Sequence, residues 1–157
     1  MSRRKTSYRP QPFESMKVAK DTSANIYSSM MLSPACKDLT LGQRSLYLHM
    51  KQRMYGQTNR TRPAPDDLSA FTFPREIWSN LFDLYARNNQ SGFFRDRDAL
   101  IKHGFIICAE NGQNRCKASV YRYSDRWQLW TPEKGLEIQP YHMSASMLHR
   151  LRKDLDD

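Results

Sequence analysis

The chain has 157 residues, 39 % of them hydrophobic and 11 % aromatic, with a mean hydropathy of −0.79, which suits one modest domain with tails and argues against wholesale disorder. No apolar run approaches the roughly 20 residues of a membrane span, and the polar start Met-Ser-Arg-Arg-Lys carries no secretory pattern. Three cysteines with no Cys-x-x-Cys fit a reducing cytoplasm and exclude a disulfide framework or a zinc knuckle.

The net charge is +9, unevenly spread: residues 1–20 carry +5, residues 21–41 carry −1, residues 42–62 carry +5, and residues 63–157 balance. A basic chain with a basic arm favours a polyanionic partner, most simply nucleic acid. A soluble surface with a solvated tail has the same charge pattern.

Residues 1–22 read as a flexible basic arm, aperiodic and containing Pro10 and Pro12. Residues 23–131 read as the folded domain. Ala24 to Leu32 fits a strand or a short helix. Thr40 and Gln43 form a capping-box pattern, so a helix is expected from there to about Tyr55, with Leu46, Tyr47, Leu48, Met50 and Met54 inward and Gly56 as its stop. Residues 57–69 hold Pro63 and Pro65 in a polar cluster and read as a loop. Phe71-Thr72-Phe73 fits a short strand. Pro74 then opens a second helix with Ile77, Trp78, Leu81 and Phe82 on one face.

After a polar linker from Tyr85 to Gly92, a third helix is expected over about Ser91 to His103, closed by Gly104 in a left-handed cap. Phe105 to Glu110 is a strand, Asn111-Gly112 is a hairpin-turn signal, and Ser119 to Ser124 is the return strand, with Trp127 and Trp130 at its end. Residues 132–142 read as a linker. Residues 143–157 read as a terminal helix with Met147, Leu148, Leu151 and Leu155 in a stripe, open to packing on the domain or to homodimer formation. The order of elements is that of an α+β winged helix-turn-helix: a three-helix core with a β-hairpin wing, plus the basic N-terminal arm and the C-terminal helix.

Three segments carry a resemblance from Tyr27 to Trp130: MMLSPACKDLTLGQRSLYLHMKQRMYG, GFFRDRDALIKHGFI and SVYRYSDRW. The chain resembles winged-helix proteins of bacterial mobile elements, the replication-initiator-like and regulatory proteins of plasmids, phages and conjugative elements of Firmicutes type. SVYRYSDRW is similar to their NVYxFSxxW ending. The resemblance implies DNA binding in a mobile-element setting, without separating initiator, transcriptional regulator and transfer accessory. It also implies a core leucine where this chain has Arg97. Either Arg97 snorkels out between Phe93 and Leu100, or the helix is rotated.

A recognition helix offers its N-terminal residues to base edges. Asn89, Gln90, Ser91 and Arg95 are the candidates, since Asn and Gln pair with adenine and Arg with guanine. Asn88 to Ser91 serve equally as cap and turn residues. Phe93, Leu100 and Ile101 form the expected core side. Arg87 and Lys102 are expected at phosphates. Asp96 and Asp98 orient Arg95 or Arg97, or contact cytosine. In the wing, Arg115 and Lys117 suit the phosphate backbone or minor groove, and Arg3, Arg4 and Lys5 suit the same role in the arm. Cys108 and Cys116 flank the turn and are expected to face each other across the hairpin, half-buried and reduced, with a redox switch as the lesser alternative.

No enzyme is expected. His49, His103, His142 and His149 make no metal-ligating pair, and neither a phosphate-cradling Gly-rich loop nor a nucleophile-elbow serine is present. Asp66-Asp67 is a lone carboxylate pair. No cofactor or metal is expected. The expected function is sequence-specific binding of double-stranded DNA in the cytoplasm, in replication initiation or its control, transfer or transcription. The alternatives are a winged-helix adaptor docking replication or transfer proteins, and a single-stranded nucleic-acid binder using the aromatics Trp78, Tyr121, Tyr123, Trp127 and Trp130.

Overall fold

The computed structural model describes residues 10–16, 21–56, 63, 69–112 and 116–136. The expectations for Arg3, Arg4, Lys5, most of the 57–69 loop, Asp66-Asp67, Arg115 and the 143–157 helix with its homodimer contact lie outside the described residues.

The segment from Ala24 to Leu32 holds a one-turn helix, α1 (Ser28–Met31). A second short helix that sequence periodicity leaves unseen, α2 (Pro34–Asp38), follows at once. Its cause is local. Ser33 Oγ accepts from Cys36 N at 3.2 Å and donates to Met30 O at 2.7 Å, while Pro34 takes the first helical position. The capping box forms as expected at the start of α3 (Leu41–Gly56). Thr40 N donates to Gln43 Oε1 at 2.9 Å, and Gln43 N to Thr40 Oγ1 at 3.3 Å. Leu46, Tyr47 and Met50 are its buried side, with Leu48 and Met54 packed at the edge.

The short strand is β1 (Ala70–Thr72). The helix expected after Pro74 is instead a single π-helical turn, Glu76–Leu81, closed by Phe82 N donating to Ile77 O at 3.0 Å. This corrects its predicted face. Trp78 is buried, and Ile77 and Phe82 pack against the core, but Leu81 is 61 % exposed. The wider turn carries Leu81 off the line that a 3.6-residue period draws.

Helix α4 (Gln90–Lys102) begins and ends within a residue of expectation. Its end is a Schellman motif: Gly104 N donates to Ile101 O at 3.1 Å and Phe105 N to Leu100 O at 3.0 Å, with Gly104 at φ +82. The turn brings Phe105 beneath Leu100, both fully buried.

The strands β2 (Ile106–Glu110) and β3 (Val120–Tyr123) complete an antiparallel sheet of order β1-β3-β2. Phe71 pairs with Tyr121, Cys108 with Tyr121, and Glu110 with Val120, with a register shift between Cys108 and Glu110. The tight turn expected at Asn111-Gly112 is replaced by a loop over residues 111–119. Gly112 sits at its neck, where Gly112 N donates to Ser119 Oγ at 3.2 Å and Lys117 N donates to Gly112 O at 3.2 Å. A Cβ there would overlap the Lys117 carbonyl, so this glycine serves close backbone approach rather than a left-handed turn. The expected facing of Cys108 and Cys116 is also corrected. Cys108 is buried opposite Tyr121, Cys116 is exposed in the loop, and neither is in a disulfide.

The core lies between α3, α4 and the sheet. Phe71 stacks on Tyr123 at 4.9 Å, Tyr47 meets Phe105 edge-on at 5.1 Å, and Trp78 stacks on Phe93 at 5.0 Å. A 3-10 turn, Arg126–Gln128, sets Trp127 against Phe105. Trp130 stacks on His103, whose Nε2 lies 2.7 Å from Asp38 Oδ2, tying α4 to α2. Among the described residues, no helix is long and apolar enough to cross a membrane.

Candidate nucleic-acid interface

An α-helix turns about 100° per residue. Measured from Phe93, the positions of Leu100, Arg97, Asp96 and Ile101 fall on the same half of α4, and all are buried. Ser91, Arg95 and Lys102 fall on the opposite line, and all three are exposed. Phe94 and Ala99 flank this line at intermediate burial. The helix is therefore wrapped by its own fold on most of its circumference and open along one stripe.

Arg97 neither snorkels nor signals a rotated helix. It sits at the predicted core position, 3 % exposed, with Nε and Nη2 donating to Asp98 Oδ1 at 3.1 and 2.8 Å. Its guanidinium carbon lies 4.6 Å from the Phe94 ring centroid, and Tyr121 is a further hydrogen-bond partner. Asp98 belongs to this buried pair, which removes it from the outer face where contact with cytosine was an option.

Asp96 is buried as well and pairs with Arg95. Arg95 Nε donates to Asp96 Oδ1 at 3.2 Å, and Tyr85 Oη donates to Asp96 Oδ2 at 2.8 Å. Tyr85 was outside the sequence candidates. Its ring meets Trp78 and Phe93 edge-on at 5.8 and 5.9 Å. Burial first, and then the Asp96 carboxylate, push its phenol well above the usual tyrosine range, so it remains a donor through neutral pH.

The remaining candidates divide by position. Asn89 is the N-cap of α4, its Oδ1 accepting from Gly92 N at 3.1 Å, so the oxygen needed for a bidentate adenine contact is engaged. Gln90 is exposed in the first turn, Arg87 is exposed in the preceding loop, and Lys117 is exposed in the 111–119 loop. Arg44 and Lys51 of α3 are used differently from a simple charged surface. Arg44 donates to Leu39 O at 3.0 Å and to Lys37 O at 2.8 Å, and Lys51 Nζ donates to Asn25 O. They hold the chain before α3 in place. Among the described residues, no three His, Cys, Asp or Glu side chains gather into a metal-ligating group. Compared with known proteins, the chain matches no family model, no curated protein and no solved structure.

Proposed function

We propose that the chain is a winged-helix protein that binds double-stranded DNA by sequence, with the open stripe of α4 in the major groove. The observation that carries this reading is the line Ser91–Arg95–Lys102, exposed directly opposite buried Phe93. The order α3, β1, π-turn, α4, β2, loop, β3 with sheet order β1-β3-β2 supports it, because that is the connectivity of a helix-turn-helix followed by a wing.

In this reading Gln90, Ser91 and Arg95 meet base edges, and Asn89 organises the helix end beside them. Arg87, Lys102 and Lys117 meet phosphates, joined by Arg115 in the wing and by Arg3, Arg4 and Lys5 in the arm. A place in the replication, transfer or transcription of a mobile element follows from the family resemblance of the sequence. The acids of α4, which as surface charges favour a protein-docking role, are instead buried and paired with the neighbouring Arg95 and Arg97, and that weakens the adaptor reading.

Fluorescence polarisation of a labelled random duplex tests this. Seven phosphate-contacting cations predict an affinity loss on the order of 10⁴ between about 50 and about 200 mM salt. Removing residues 1–9 should weaken binding to all sequences alike and flatten that dependence. Weak, salt-insensitive binding would mark an adaptor, and preference for unpaired oligonucleotides with quenched tryptophan emission would mark a single-strand binder.

A further inference from the structure

We propose that Asp96, held by Tyr85, is a positioning residue that aims Arg95 at one guanine and so sets specificity at a single base pair of the DNA site. This rests on the DNA-binding reading above.

Arg95 sits on the open stripe with its side chain 74 % exposed, while the side chain of its partner Asp96 is only 6 % exposed. The contact joins the exposed guanidinium of Arg95 to a carboxylate inside the fold. Asp96 is fixed because its second oxygen accepts the Tyr85 hydroxyl, and the Tyr85 ring is lodged against Trp78 and Phe93. The chain of contacts thus runs from the aromatic core to a surface guanidinium.

The atom used is decisive. Asp96 takes Nε, the donor nearest the stem. A guanidinium held through Nε keeps its two terminal nitrogens as a coplanar pair of donors for an end-on contact. Two parallel donors of that spacing match O6 and N7 of guanine in the major groove. As a stabilising ion pair the contact is weak, since one partner is open to water. Its effect lies in removing the rotamer freedom that Arg95 would otherwise lose on binding.

The test uses the full chain, a duplex enriched from a random pool, and its complete set of single base-pair substitutions. Arg95→Ala should lose about tenfold or more in discrimination at one G·C pair and little elsewhere. Asp96→Asn should lose about threefold to tenfold at that same pair, and the double variant should be no worse than Arg95→Ala. Tyr85→Phe keeps the packed ring and should show a smaller loss at the same pair, which separates positioning from misfolding.

Uniform loss or uniform gain across all sequences for Asp96→Asn, or additivity in the double variant, would overturn the proposal. An independent reading needs no DNA. The Arg95 Nε–H should be slowly exchanging by NMR in the wild-type protein and fast in Asp96→Asn. A fast Nε–H in wild type overturns the relay whatever the protein binds. A slow one in a chain with no duplex preference overturns the DNA reading, and with it the role given to the relay.

Discussion

Arg97 shows how a single residue departs from a pattern without disturbing it. Its place in the heptad-like spacing of α4 asks for an aliphatic side chain, and the fold accepts a guanidinium there by supplying Asp98 on the next residue. Both are almost fully buried, so neither charge is tolerable alone. Arg97→Leu should therefore cost about 3–5 kcal/mol of stability, because it removes the guanidinium paired with the buried Asp98 carboxylate. Arg97→Leu with Asp98→Ala should recover much of that loss. Urea denaturation of the two variants measures both, and a single variant as stable as wild type would contradict the buried-pair account. The oddity of Arg97 is legible in the sequence, and the alternating Arg-Asp-Arg-Asp run holds the means of its resolution. That Asp96 would turn to Tyr85 is not legible, because it depends on a contact across 11 positions.

Among the longer elements, those that carry their own start and stop signals are read correctly, whereas α2, capped locally by Ser33, is too short to show a period. The Thr40–Gln43 box opens α3, and the Lys102-His103-Gly104 sequence closes α4, because both depend on hydrogen bonds within a few residues. Elements shaped by distant packing are misread. The π-turn forms where Trp78 must reach Phe93, and the 111–119 loop is set by the pairing of Glu110 with Val120 rather than by Asn111-Gly112. At this scale Gly104 is the sharpest test. At φ +82, with an added Cβ 2.6 Å from Trp127 N, it has neither the conformation nor the room for a side chain. Gly104→Ala should destabilise by about 2 kcal/mol or more, lowering the urea midpoint. An unchanged midpoint would contradict the capped-helix geometry.

Across the whole molecule, the order of elements is legible because each main helix and strand has a local pattern, and the spacing of Phe93, Leu100 and Ile101 marks the inner side of α4, whereas the sheet order emerges only from packing. That packing buries several tyrosines. Burial raises the phenols of Tyr47, Tyr85 and Tyr123 well above their ordinary 10.0. A raised folded-state value means the native protein holds protons that the unfolded chain has released. Stability from these groups is complete below pH 10 and falls as pH climbs beyond it. Thermal melts between about pH 8 and about pH 11, followed with tyrosinate absorbance, should show tyrosinate of these residues arising with unfolding rather than before it. Free titration of all tyrosines in the folded state would contradict the buried arrangement.

The role assigned to α4 is most directly reached by selecting bound duplexes from a random pool with the wild-type chain and with Arg95→Ala in parallel. The wild type should enrich a defined motif, and the variant should enrich the same motif with one G·C position relaxed, a loss of about 1–3 kcal/mol in discrimination. An unenriched wild-type pool, or identical motifs from both proteins, would contradict a base-reading role for the Ser91–Arg95–Lys102 stripe.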